Sequence, residues 1–126
     1  LHARPGVMSL EQTDIRNVSA ARLGEPPDLV VADVSFISLK LVLPAALALA
    51  KPPAHLVALI KPQFEAGRAA LKRGVVRDVT VHDAVCDDIA ACVTALGWYG
   101  AGIIPSPISG GDGNMEFLLG ATSHQP

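Results

Sequence analysis

Leu29-Val-Val-Ala-Asp33-Val-Ser-Phe36 and Leu56-Val-Ala-Leu-Ile-Lys61-Pro62-Gln-Phe64 decide how this chain folds. Each is a short aliphatic, β-branched run that ends on a charge and then meets turn chemistry. Such runs fill a parallel sheet buried on both faces. A charge where the run stops falls at the carboxyl edge of that sheet, and in open α/β folds ligands bind at this edge. Gly113-Asn-Met-Glu116-Phe-Leu-Leu119 supplies a third charge at the start of a later apolar run. Asp33, Lys61 and Glu116 are therefore expected to converge, and an amine between two acids suits proton chemistry on a polar substrate.

Working outward, Ser38 is placed to cap a helix from Leu39 to Ala50, with Pro44 delaying or kinking it. Lys51-Pro-Pro53 ends that helix. Residues 62–74 read as a basic loop. Asp78 or Thr80 starts a long helix, with Val81, Val85, Ile89, Cys92, Val93 and Leu96 on one side, and Gly97 stops it. Residues 98–104 read as a strand. The turn-rich stretch 105–114 then leads to a last strand at residues 115–120. Helical links make the first strands parallel, whereas a loop of about ten residues makes the last strand antiparallel to its predecessor. A further strand is expected at Gly6–Glu11, followed by a polar stretch and a weak helical turn before Gly24-Glu-Pro-Pro27. The fold class is α/β: a Rossmann-like, mostly parallel sheet closed by an antiparallel hairpin, as in the carboxyl half of a class I methyltransferase.

Composition sets the frame. The chain has 126 residues, enough for one core; half are hydrophobic and 17% charged, which excludes a disordered chain. The net charge of −2 exerts no overall pull on nucleic acid, so any RNA contact needs a local basic patch. Arg68, Lys72, Arg73 and Arg77 form one, directly after Lys61. Cys86 and Cys92 sit six apart in one helix and face different ways, so no disulfide is expected and a reduced, cytoplasmic setting fits. His2, His55, His82 and His124 lack metal-ligand spacing, so no metal site is expected. No run is long and apolar enough to span a bilayer, and no membrane partner is expected.

Each charge has a plainer explanation. Asp33 can cap a turn, Lys61 can snorkel, and Glu116 can be an exposed edge residue. Lys61 between Ile60 and Pro62 argues hardest against the plain account. A phospho-acceptor receiver domain also pairs a strand-end Asp with a Lys-Pro-x-Phe. That pattern needs two βα units between them, and here there is one.

Four motifs, in order, carry a resemblance. They are Asp33-Val-Ser-Phe-Ile-Ser-Leu39, Ile60-Lys-Pro-Gln-Phe-Glu65, Gly74-Val-Val-Arg-Asp78, and Ser106-Pro-Ile-Ser-Gly110 with Gly113-Asn-Met-Glu-Phe-Leu-Leu119. Together they resemble the hemolysin A (TlyA) family of FtsJ-like ribosomal RNA 2′-O-methyltransferases, from about Gly6 to Leu119. The resemblance implies S-adenosylmethionine as cofactor and ribosomal RNA or a ribosomal subunit as partner. It implies Asp33, Lys61 and Glu116 as the last three members of a Lys-Asp-Lys-Glu catalytic set. Cofactor contacts fall to Glu11, Thr13, Asp14, Asp33, Ser35 and Phe36, with Asp14 where the family usually has Asn. RNA contacts fall to Arg68, Lys72, Arg73 and Arg77. The family's S4-like RNA-binding domain, its Gly-rich cofactor loop and its first two strands have no counterpart in residues 1–126, which read as a partial methyltransferase domain. In the family's strand order 3-2-1-4-5-7-6, residues 6–11 correspond to strand 3. The unpaired edge at residues 29–34 is then expected to be covered by missing strands, by residues 6–11, or by a second copy in a homodimer. A non-enzymatic assembly role and a hemolysin-like role are the alternatives.

Overall fold

A computed structural model describes residues 5–124; His2 and the last two residues, expected to fray, lie outside the described residues. One four-stranded sheet organises the chain. Its strands are β1 (Leu29–Ala32), β2 (His55–Ile60), β5 (Tyr99–Pro105) and β6 (Phe117–Thr122), in the order β1-β2-β6-β5. β1 and β2 are parallel, Leu29 opposite His55 through Ala32 opposite Ala58. β6, the last strand in sequence, inserts between β2 and β5 and runs antiparallel to both. The expected antiparallel closure is present. A bulge between Gly100 and Gly102 interrupts the outer pair.

After a helical turn α1 (Ala20–Leu23), helix α2 (Leu39–Ala48) links β1 to β2, and α4 (Val79–Ala95) leads into β5. Ser38 caps α2 by accepting a hydrogen bond from the Lys40 amide. Pro44 lies within α2 on its exposed side, so the helix neither starts late nor stops there. Asp78 caps α4 through the Thr80 amide at 2.9 Å. Leu39, Leu43 and Leu47 of α2 pack with Val85, Ile89 and Val93 of α4 against Leu56, Ala58 and Ile60 of β2 and Leu119 and Ala121 of β6. Burying aliphatic side chains of this size contributes roughly 1.5–3 kcal/mol each before entropic costs. Val57 and His55, on alternate positions of β2, stay exposed. Only one face of the sheet is thus covered by helices among the described residues.

Two expectations need correction. Residues 7–10 form no strand. A strand is held by its ladder, and among the described residues no strand lies beyond β1 to offer this segment donors and acceptors. Met8, Leu10, Thr13 and Ile15 instead face Leu29 and Val31 across an apolar recess of about 600 Å³. The edge of β1 is left unpaired, with Leu29 and Val31 exposed. Residues 62–74 are also more ordered than a loop. They hold a helical turn α3 (Pro62–Glu65) and begin the hairpin of β3 (Leu71–Lys72) and β4 (Val75–Val76). Arg73 and Gly74 make its two-residue turn, both with positive φ (55° and 79°), which matches the twist of the paired strands.

The two motifs that follow β1 and β2 are joined by Glu65. Its Oε1 accepts from the Ser38 hydroxyl at 2.6 Å, and its Oε2 accepts from the Leu39 amide at 2.8 Å. A carboxylate therefore sits on the N-terminus of α2, where free amides and the helix dipole favour it. Glu65→Ala strands both donors in a partly buried place. We expect it to destabilise the fold by about 2 kcal/mol, read as a lower midpoint in urea unfolding. The cap at Asp78 predicts a pH effect. Hydrogen bonds from the Thr80 hydroxyl and amide lower its carboxyl below the ordinary 3.8. Its stabilisation is complete above that value and is lost as pH falls through the lower folded-state value. Helical circular dichroism of wild type and Asp78→Asn, compared from pH 6 down to about 2, should show a loss in that acid range that the variant lacks.

Candidate active site

Asp33 and Lys61 follow the last residues of two adjacent parallel strands, so the sheet itself brings them together. Lys61 Nζ lies 2.7 Å from Asp33 Oδ1 and donates to Ser35 Oγ at 3.1 Å. The lysine side chain is 14% exposed and the aspartate 63%, so the amine is held inward by an acid that still reaches solvent. The plain snorkelling account of Lys61 does not describe this geometry.

Glu116 precedes β6 and is 6% exposed, so the reading of it as an exposed edge residue fails. Its Oε2 accepts from Gln63 Nε2 at 2.9 Å. Gly110 lies against the carboxylate so closely that a Cβ there would stand 1.9 Å from Oε2. The other amide atom of Gln63, Oε1, is buried with no hydrogen-bond partner. Asp33, Lys61, Gln63, Gly110 and Glu116 line one cleft of about 1080 Å³. The three charges expected to converge do so at the carboxyl ends of β1 and β2 and the entry of β6.

Asn114 holds the wall of this cleft and was not singled out by sequence reasoning. It is 3% exposed. Its Oδ1 accepts from the Val76 amide at 3.0 Å, and its Nδ2 donates to the carbonyls of Gly74 and Gly111, each at 2.9 Å. One amide thus fastens the β3–β4 hairpin to the β5–β6 loop. Gln63 and Gly110 were also missed as individuals. Their signal was positional: each stands inside a motif quoted for another residue.

The remaining candidates divide. Arg68 lines the same cleft, while Lys72, Arg73 and Arg77 are exposed on or next to the β3–β4 hairpin. Ser35 and Phe36 line the cleft as well. Phe36 is 89% exposed at a φ of 62°, with its ring centroid 4.7 Å from that of Phe64. Glu11, Thr13 and Asp14 are not among the cleft's lining residues. Thr13 lies in the apolar recess at the open β1 edge, and its hydroxyl donates to the Glu11 carbonyl. Asp14 is bound by Arg16 at 2.7 Å, and hydrogen bonds from the Arg16 side chain and backbone pull its carboxyl down to about 2.

The chain is similar to known proteins over nearly its whole length. The family model for FtsJ-like methyltransferases matches residues 1–123. The chain is 44% identical over 115 residues to "Putative rRNA methyltransferase YqxC" of Bacillus subtilis, covering 90% of this chain and 41% of that protein. It is 41% identical over 116 residues to the 16S/23S rRNA (cytidine-2'-O)-methyltransferase TlyA of Mycobacterium tuberculosis, covering 91% of this chain and 43% of that one. A solved structure, "Putative hemolysin from Streptococcus thermophilus", superposes with a TM-score of 0.92 at 38% identity, over 97% of this chain and 45% of that chain. The chain spans less than half the length of the curated relatives it matches. With the strand order, the paired Asp33 and Lys61 and these matches together, the chain belongs to the FtsJ-like methyltransferase family.

Proposed function

We propose that the protein to which this chain belongs transfers a methyl group from S-adenosylmethionine to a ribose 2′-hydroxyl of ribosomal RNA. The observation that carries the reading is the Lys61–Asp33 pair at 2.7 Å in a cleft that also holds a buried glutamate. The names of the relatives point to ribosomal RNA, and one specifies the 2′-oxygen of cytidine.

The residues present suit part of such a cofactor. The exposed carboxylate of Asp33 favours a sulfonium cation, and Phe36, lining the same cleft, offers an apolar surface to the methyl-bearing end. Asp33, Ser35 and Phe36 would hold it at the cleft. Glu11, Thr13 and Asp14 would contact it, on this proposal, from the segment beside β1. When bound, the cofactor supplies an activated methyl group. Everything else is positioning.

An ammonium has three hydrogens to donate. Lys61 directs one to Asp33 and one to Ser35, which leaves one for the ribose oxygen. That bond would orient the oxygen for attack, and orientation of this kind supplies much of the barrier reduction in a displacement. The acids accept from the hydroxyl as its proton is released. Asp33 also keeps the amine from swinging away, since the lysine stem is otherwise flexible. Arg68, Lys72, Arg73 and Arg77 would meet the RNA phosphates. That contribution weakens with salt.

Lys61→Ala in the full-length protein tests the assignment. We expect ribose methylation of ribosomal RNA to fall by at least about 100-fold, the scale of losing a group that positions a reacting atom, with the thermal melting profile retained. Methylation near the wild-type rate would remove Lys61 from the mechanism.

A further inference from the structure

We propose that Gly110 and Gln63 are positioning residues that together seat the Glu116 carboxylate. The inference deepens the methyltransferase reading and rests on it.

Glu116 is 6% exposed, yet among the described residues its carboxylate accepts one side-chain hydrogen bond, from Gln63 Nε2 at 2.9 Å. A buried carboxylate held from one side needs a second constraint to keep one rotamer. Gly110 supplies it by shape. A methyl group on Gly110 would come to 1.9 Å from Oε2, 2.5 Å from Cδ and 3.1 Å from Cγ. Three successive atoms of the glutamate therefore run along the glycine backbone, and the whole side chain, not only its tip, would have to move. The glycine is not free to retreat. Its amide donates to the Asn114 carbonyl at 2.7 Å, and its carbonyl accepts from the Gly113 amide at 3.3 Å. Asn114 is in turn pinned through its side chain to both the hairpin and the loop. The backbone of Gly110 carries an ordinary negative φ of −79°, so its lack of a side chain answers a need for space and not for a special conformation.

Gln63 holds the same oxygen, Oε2, by a hydrogen bond. Its Oε1 is buried without a partner, an arrangement that costs stability and would be relieved if the side chain swung out. The bond from Nε2 to the carboxylate is what holds the amide in. Turning the amide over would set one oxygen against another. Gln63 also stands two residues after Lys61 in the α3 turn, whose last residue Glu65 grips the start of α2. The amide that holds the acid is thus built on the same rigid turn that follows the amine. The separation between Lys61 and Glu116 is set by this short covalent path together with one hydrogen bond.

The test uses full-length protein and measures kcat and KM for methylation of ribosomal RNA. Gly110→Ala, Gln63→Leu and Glu116→Ala should each lower kcat at little-changed KM. A displacement of about 1 Å at a positioned group costs on the order of 100-fold. In the Glu116→Ala background, Gly110→Ala and Gln63→Leu should lower kcat no further, because the side chain they seat is gone. Glu116→Asp, one methylene shorter, should make room for the added methyl, so Gly110→Ala should cost far less in that background than alone. Losses that multiply in the double variants, or Gly110→Ala active at the wild-type kcat, would overturn the inference while leaving the methyltransferase reading intact. A wild-type protein that methylates no ribose overturns that reading, and this inference with it. If Gly110→Ala melts far below wild type, the Gln63→Leu cycle with Glu116 decides alone.

Discussion

A single carboxylate organises the top of this sheet. Glu65 takes one hydrogen bond from the Ser38 hydroxyl and another from the Leu39 amide, and so locks the turn after β2 onto the helix after β1. The two turns carry Ser35 and Asp33 on one side and Lys61 and Gln63 on the other. Parallel pairing puts the ends of β1 and β2 side by side, but it does not fix how the chain leaves them. The Glu65 bridge does. With it in place the lysine has a fixed origin, and its side chain can be spent on Asp33 and Ser35 at 2.7 and 3.1 Å.

The charges in this cleft are treated unequally, and the inequality has a physical logic. Asp33 reaches solvent and Lys61 is largely shielded, so the pair keeps its attraction without losing all of its hydration. Glu116 is buried deeper, with a neutral amide and a glycine backbone as its neighbours. An acid in such a seat has little room to change rotamer. Rigidity there is bought with an unsatisfied oxygen on Gln63.

Much of the fold was legible in the sequence because short aliphatic, β-branched runs that stop on a charge have a strong signature, although only one face of the sheet is covered. The apolar runs at residues 29–32 and 56–60, the caps at Ser38 and Asp78, and the antiparallel return of the last strand all appear where local chemistry put them. The segment 6–11 misled for an instructive reason. Its residues suit a strand, but a strand requires a neighbour, and no periodicity in residues 6–11 states whether one is present. The hairpin at residues 71–76 was overlooked because two-residue strands are too short to show alternation, and its turn uses an arginine where glycine or asparagine is the usual cue. Within the site, Asp33, Lys61 and Glu116 were visible as charges where charges are rare. Gln63, Gly110 and Asn114 were not, because an amide or a glycine in a loop looks ordinary until its packing is seen.

The position of β6 has a consequence in time as well as in space. It is the last strand of the described chain and lies in the middle of the sheet, paired on both sides. During synthesis, β1, β2 and β5 are all made before it, and neither β2 nor β5 can complete its ladder until residues 117–122 emerge. The inner edge of β2, with its run of Leu56 to Ile60, waits as an unsatisfied template throughout that interval, the kind of surface that invites pairing with other chains. The acid at Glu116 arrives with the same segment. Closing the sheet and completing the cleft are therefore one event, and a nascent chain lacking β6 has neither.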